Sequence, residues 1–182
     1  VRTNEQAPNF RLVEAPEAAP EERAKWRTLV APRDDAAVED YALFERGIAV
    51  EERVAGQRRV RVLGRGGDTA NGSADAAERV LGAGDAAHAA LGENRDAAAA
   101  HVQVVLQSLV RPPTTVDVHL ASGREFVRKQ QRVPGYDAAR YRSERLWAAA
   151  RDGARIPITL AWRADRAARD ATAPLLVEGY GA

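Results

Sequence analysis

Apolar residues recur at every second position through much of this chain. Ile156, Ile158, Leu160 and Trp162 alternate with Pro157, Thr159 and Ala161, and Val116, Val118 and Leu120 alternate with Asp117 and His119. Val60 and Val62 alternate with Arg59 and Arg61, and Val102, Val104 and Leu106 with Gln103, Val105 and Gln107. A period of two places one side-chain set on one face, so each run predicts a strand with a buried face. Turn signals separate the runs. Arg46-Gly47 divides Tyr41–Phe44 from Ile48–Val54, Gly56 precedes Arg58–Leu63, Ser122-Gly123 precedes Arg124–Gln130, and Asp152-Gly153 precedes Ile156–Trp162. Asp-Gly is a strong hairpin signal because both residues accept positive φ. Antiparallel meanders at this spacing predict a sandwich, barrel or propeller rather than a βαβ sheet.

Residues 64–100 break the pattern. Gly64, Gly66, Gly67, Gly72, Gly82 and Gly84 sit among Ala and Asp, and Ala97–Ala100 is a run of alanine. This stretch reads as a long surface loop or a poorly specified strand pair, with Ala76–Leu81 able to form a turn of helix. Farther on, Val133-Pro134-Gly135 interrupts the meander and Tyr136–Arg142 reads as a linker. A hairpin and the apolar strand Leu175–Val177 are expected after it, with a domain boundary near 136–140.

Composition thins the expected core. The 182 residues are 45% hydrophobic, but 38 of them are alanine, and Leu, Ile, Val and Phe supply roughly a fifth of the chain. That is the level below which a highly charged chain stays disordered. Here 27 basic residues face 26 acidic ones, so self-repulsion does not hold the chain open. A thin, partial core is the expectation. No cationic block stands clear of acidic neighbours, which argues against a nucleic-acid partner. The absence of Cys excludes disulfides, thiolate catalysis and Cys-ligated zinc. No run of 18 apolar residues and no charged-then-apolar leader is present, so the expectation is no membrane partner and a cytoplasmic location. Val1 at the first position suggests a piece of a longer reading frame.

Each chemistry needs its residues in a particular geometry. A serine on an α/β-hydrolase elbow requires Gly two residues to either side, and none of Ser73, Ser108, Ser122 or Ser143 has both. His88, His101 and His119 show no helical i,i+4 pair, so no metal site is expected, and His119 reads as a solvated or satisfied strand histidine. Gly82-Ala83-Gly84-Asp85-Ala86-Ala87 formally fits a dinucleotide fingerprint, but its antiparallel surroundings argue against a cofactor, and none is expected. Gly64–Asp68 lacks the Lys-Ser/Thr of a phosphate loop. The acidic cluster Asp34, Asp35, Glu39 and Asp40 lacks calcium-loop spacing and reads as a solvated turn.

Several stretches, in order, resemble the oligopeptidase B group of the prolyl oligopeptidase family of serine peptidases. They are Arg2-Thr3-Asn4 with Asn9-Phe10-Arg11-Leu12; Trp26 with Leu29–Asp35 and Val38–Phe44; Val50–Arg53; Arg58–Val62; and Ser108–Val110 with Pro112–Asp117. Lys129–Gln131, Gly135–Asp137, Tyr141–Ala148, Ala150–Gly153, Pro157-Ile158, Pro174–Leu176 and Gly179–Gly181 follow. The match covers about 1–63 and 101–182; across 64–100 only Leu91-Gly92-Glu93-Asn94 aligns.

The resemblance implies a mainly β fold: incomplete antiparallel β-propeller blades over 1–136, then a linker and the first strands of an α/β-hydrolase peptidase domain over 137–182. It implies that the parent hydrolyses short peptides after Arg or Lys, with its Ser-Asp-His triad beyond residue 182. These 182 residues alone would then be inactive and marginally stable, since a truncated propeller exposes unpaired strand edges. Tyr180 matches the second Tyr of the family's Tyr-Gly-Tyr-Gly run, which donates its hydroxyl to the oxyanion hole, while Glu178 replaces the first. The alternative for Tyr180 is a residue that merely caps a strand. The alternatives for the protein are a post-proline oligopeptidase of the same architecture or a non-catalytic propeller that binds a peptide or protein.

Overall fold

The computed structural model describes residues 1–64, 78–82, 87–166, 170 and 172–179. Among these residues the chain forms thirteen strands and two single turns of 3-10 helix, and every strand pairing is antiparallel. Strands β1 (Arg2–Thr3), β2 (Arg11–Glu14) and β3 (Arg27–Val30) make a three-stranded sheet. Next come β4 (Ala36–Phe44), β5 (Gly47–Val54), β6 (Gln57–Gly64) and β7 (Arg79–Leu81), a four-stranded meander in which each strand lies beside its sequence neighbour. The same topology repeats in β8 (Ala87–Leu91), β9 (His101–Ser108), β10 (Arg111–His119) and β11 (Glu125–Gln130). A hairpin, β12 (Tyr141–Ala149) and β13 (Arg155–Arg163), follows. Consecutive four-stranded meanders are what the alternating pattern predicts, arranged as the blades that the resemblance implies, and among the described residues no sheet closes on itself.

Two apolar cores share the middle sheet. Phe44, Ala49, Val60, Val62 and Leu81 pack against Ala89, Val102, Val104, Leu106, Val116, Val118 and Leu120 of the next sheet. On the opposite side Val38, Ile48 and Val50 meet Leu12 and Val30 of the first sheet. Strand β5 therefore has no solvent face: Gly47 through Glu52 are all buried. Its side chains alternate between the cores, Ala49 toward one and Ile48 and Val50 toward the other, as the pleat requires. In β11, by contrast, all six residues are exposed.

Three sequence expectations change here. First, within 64–100 the chain makes two strands, and they belong to different sheets: β7 closes the edge of one and β8 opens the next. Second, Arg79–Leu81 is strand and not helix, because its backbone pairs with Val60–Val62 and Leu81 enters the core (residues 76 and 77 lie outside the described residues). Third, Leu175–Val177 forms no strand among the described residues, having no neighbour to pair with, and all three side chains are exposed. The alanine run has a structural use. The carbonyls of Ala97 and Ala100 accept from the N–H groups of Glu45 and Leu120, at 2.8 and 2.9 Å. Asn94 acts as a surrogate peptide unit: its Nδ2 donates to the Gln103 carbonyl at 3.0 Å and its Oδ1 accepts from the Gln103 N–H at 2.7 Å.

Two carboxylates lie buried in the middle of this β stack. The Glu52 side chain accepts from the Arg61 guanidinium at 2.9 and 2.5 Å, with Arg33 3.6 Å away. Glu51, on the opposite face of β5, accepts from the Leu91 N–H at 2.8 Å and so ties β5 to the next sheet. Removing one member of a buried pair strands the other charge. Glu52→Gln is therefore expected to lower stability by about 3 kcal/mol, read as a drop in the urea midpoint at unchanged slope.

A second expected outcome concerns the β7–β8 junction. Gly82 has φ of +76°, and a Cβ there would lie 2.7 Å from the Ala89 Cβ and 2.9 Å from its backbone nitrogen. Gly135 has a similar φ of +73° with nothing within 4 Å. Gly135→Ala should cost about 1 kcal/mol of left-handed strain, and Gly82→Ala about 2–4 kcal/mol because overpacking adds to it. Thermal denaturation of the two variants side by side checks the difference; equal losses would remove the close-packing explanation.

Candidate functional site

The meander topology sets which turns share an end of the stack. Chain direction alternates, so the β5–β6 turn, the end of β7, the start of β8 and the β9–β10 turn lie at one common end. Both segments that follow the meanders attach there. The Tyr136 hydroxyl donates to the Val110 carbonyl in the β9–β10 turn, and its ring stacks on Tyr141 with centroids 5.1 Å apart. The Arg145 guanidinium of β12 donates to the Ala55 carbonyl in the β5–β6 turn.

That turn reads Ala55-Gly56, with φ of +51° and +80°. Two consecutive positive φ values are those of a type I′ hairpin turn, whose twist matches the flanking strands. Gly56 leaves room for the hairpin: a Cβ would lie 3.5 Å from Arg145 and 3.7 Å from the Pro157 ring.

A concentration of cationic side chains surrounds this contact. Arg53 and Arg58 are direct cross-strand partners flanking the turn. Together with His88, Ala90, Val105 and Gln107 they line a cavity. The Arg58 N–H lies 3.4 Å from the His88 Nδ1. Burial first, and then the charges of Arg145, Arg53 and Arg58, push the His88 imidazole below its ordinary pKa, so it is held neutral. Burial, and secondarily Arg59, likewise pushes the Arg145 guanidinium down. Glu39 answers part of this charge, 2.5 Å from Arg53 and 3.4 Å from Arg58, and Glu51 lies 3.6 Å from Arg58.

Of the residues singled out in the sequence, His88 lies here and the others fall elsewhere. Tyr180 lies outside the described residues, and the adjoining Glu178 and Gly179 are exposed and outside any strand. Ser73 and residues 83–86 of the glycine fingerprint also lie outside them; Gly82 and Ala87 adjoin strands β7 and β8, not a helix. Of the phosphate-loop candidate, Gly64 ends strand β6 and residues 65–68 lie outside the described residues. Asp35 is paired with Arg33, whose hydrogen bond holds its carboxyl below the usual range. His119 Nδ1 lies 2.8 Å from Ser122 Oγ, but the N–H of Ser122 also points to it, which makes this a local turn closure. The nearby Asp117 carboxylate is held by Arg128 at 2.7 Å rather than orienting the histidine. His101 faces His119 across the strands with ring centroids 5.0 Å apart. Among the described residues no group of three or more His, Cys, Asp or Glu side chains could hold a metal ion. No described helix is long and apolar enough to cross a membrane.

The cluster at the β5–β6 turn was not anticipated from the sequence. Its signal is present in hindsight as Arg53, Arg58 and Arg59 around Ala55-Gly56, but Arg145 joins them from 86 positions beyond Arg59.

Comparison with known proteins supplies the family. The model of the prolyl oligopeptidase N-terminal β-propeller domain matches residues 1–131. A dipeptidyl aminopeptidase BI from Pseudoxanthomonas mexicana is 37% identical over 100% of this chain and 24% of its own length. Protease 2 from Moraxella lacunata is 35% identical over 44% of this chain and 12% of its own. The solved structure of oligopeptidase B from Leishmania major superposes with a TM-score of 0.75 at 27% identity, covering 90% of this chain and 23% of that one. The chain thus spans about a quarter, or less, of the length of these relatives. Two consecutive antiparallel meanders, packed face to face and matched along 1–131, show that the chain belongs to the prolyl oligopeptidase family and carries part of its β-propeller domain.

Proposed function

We propose that the whole protein is a serine oligopeptidase that hydrolyses short peptides, with cleavage after Arg or Lys as the leading specificity. In this reading residues 1–136 are blades of the propeller, and 137–182 are the linker and opening strands of an α/β-hydrolase domain whose Ser, Asp and His lie beyond residue 182. The observation that carries it is the family match over 1–131, followed by a separate hairpin, β12–β13, that docks on the blades through few side chains. The serine hydroxyl attacks the scissile carbonyl, histidine takes its proton and returns it to the leaving amine, and the aspartate orients the imidazole. Tyr180 contributes a phenolic O–H that, with a backbone N–H, stabilises the oxyanion as the carbonyl becomes tetrahedral. A propeller above such a site restricts entry to short, flexible chains.

A second reading has its own support. The relative matching the whole chain at 37% identity is named a dipeptidyl aminopeptidase, which favours release of amino-terminal dipeptides over internal cleavage. The post-proline and non-catalytic alternatives are separated from both by the same assay.

The complete protein is expected to cleave peptides containing Arg or Lys in preference to Pro-containing ones, and free amino-terminal dipeptidyl substrates report on the second reading. Tyr180→Phe should lower kcat by about 100- to 1000-fold, the usual effect of deleting one oxyanion donor, with KM and melting temperature little changed. An unaltered kcat removes Tyr180 from the oxyanion hole, and absence of hydrolysis of any of these substrates by the complete protein removes the peptidase reading itself.

A further inference from the structure

A cavity of about 520 Å³ lies between the first sheet and the middle sheet, at the β4–β5 end of the stack. Leu12, Leu29, Phe44 and Ile48 form its wall, and Leu12 and Ile48 also belong to the core that these two sheets share. The cavity is thus a continuation of that core that no side chain fills. Protein interiors keep few such apolar gaps, because an unfilled wall forfeits dispersion contacts. Its third side, residues 15–20, is fixed without a ligand. Pro16 and Pro20 restrict φ, the Ala19 N–H donates to the Pro16 carbonyl at 3.2 Å, and the Trp26 Nε1–H donates to the Pro20 carbonyl at 2.8 Å. The charged side chains lining the cavity are of one sign. Glu14 is held by Arg27, but Glu17 and Glu45 have no ion pair and no side-chain hydrogen bond among the described residues. Among the described residues no Lys, Arg or His lines the cavity, and the exposed Arg46, next to Glu45 in the turn, makes no ion pair with it. The Val1 nitrogen is engaged by the Val13 carbonyl at 2.8 Å, and the Tyr41 hydroxyl has no hydrogen-bond partner among the described residues. An apolar wall with a few polar groups is the usual form of a small-ligand site.

We infer that this cavity binds a small amphipathic cation, a primary ammonium on an apolar body, with the body against Leu12, Leu29, Phe44 and Ile48 and the ammonium at Glu17 and Glu45. Charge complementarity selects this class. An anionic ligand would meet two unanswered carboxylates, and a neutral one would fill the wall and leave both carboxylates as they are. An ammonium is a compact cation with three donors, suited to carboxylate oxygens and to the Tyr41 hydroxyl. Glu17 and Glu45 are exposed, so each ion pair is worth little by itself. Burial of the apolar body supplies most of the affinity, and the carboxylates decide the sign of the ligand. The inference does not rest on the peptidase reading. The cavity lies between blades, at the opposite end of the stack from the attachments made by Tyr136 and Arg145.

The test uses the complete protein and calorimetric titration at low ionic strength with 4-phenylbutylammonium, its neutral counterpart 4-phenylbutanol, and methylammonium. The phenylbutyl cation is expected to bind about fivefold more tightly than the alcohol, the ratio that a partly exposed ion pair supplies, and added salt should narrow it. Methylammonium, which has the charge without the body, should show no measurable binding. In the double variant Glu17→Gln/Glu45→Gln the cation-to-alcohol ratio should fall to about one with the affinity for the alcohol unchanged. Both side chains are exposed, so this variant is expected to fold. Ala97→Trp, at an exposed lining position, adds bulk to the cavity and should weaken both phenylbutyl ligands. Equal affinities for cation and alcohol in the unaltered protein, no binding of either, or methylammonium binding as tightly as the phenylbutyl cation each overturn the inference. So does a preference for the cation that survives both variants, which would place the amine elsewhere, for instance in a peptidase pocket for basic side chains. Peptide hydrolysis by the complete protein, present or absent, leaves these readouts unaffected, so the two proposals fail separately.

Discussion

The structure depends on β5 being buried on both faces. With Ile48 and Val50 in one core and Ala49 in the other, this strand is where the first sheet and the two meanders become one body. A sheet needs its backbone groups paired and at least one face covered; the middle sheet has both faces covered, by neighbours that are themselves thin. That arrangement explains how a chain with so much alanine still forms a packed interior. Few large side chains are needed when each core is shared between two sheets, and small ones such as Ala49 and Ala89, both fully buried, let the sheets approach closely. The same closeness makes Gly82 a fixed requirement.

Burial of β5 also places constraints on charge. Glu51 and Glu52 are consecutive and point to opposite faces, so each must find its own partner: a backbone N–H and Arg58 for one, Arg61 and Arg33 for the other. A buried pair of this type does not add much net stability, because desolvation offsets the attraction, but it sets register. Slipping β5 by one residue would send Glu51 and Glu52 to the wrong partners and reverse Ile48, Ala49 and Val50 between the cores. The carboxylates thereby help fix which sheet lies on which side.

At the end of the stack the logic differs. There the β5–β6 turn, the β9–β10 turn and the start of β8 receive Tyr136 and Arg145 from the segment beyond the meanders. The turn supplies the Ala55 carbonyl, its glycine leaves space, and the flanking Arg53 and Arg58 are matched by Glu39 and Glu51.

Much of the fold was legible in the residues. Alternation located β6, β9, β10 and β13, and turn-bounded runs marked β4, β5 and β11, because side-chain period and turn glycines such as Gly56, Gly123 and Gly153, all of positive φ, are local properties; the buried face expected of β13 is absent, since Ile156 and Ile158 are exposed. The ordered motifs from Arg2 to Gly181 carried the family. What the pattern did not reveal was β1, β2, β3, β7 and β8, which are too short or too rich in alanine to alternate, and whose strand character comes from the edge they complete. Leu175–Val177 shows the converse, an apolar run with no edge to join among the described residues. The cation cluster was equally hidden, since Arg53, His88 and Arg145 are far apart in sequence. The strand-and-turn rhythm, the family and the lack of a nucleophile elbow within these 182 residues can be read from the residues alone. Which sheet each weak strand joins and which charges meet emerge only on folding, because both depend on long-range pairing that no local pattern encodes.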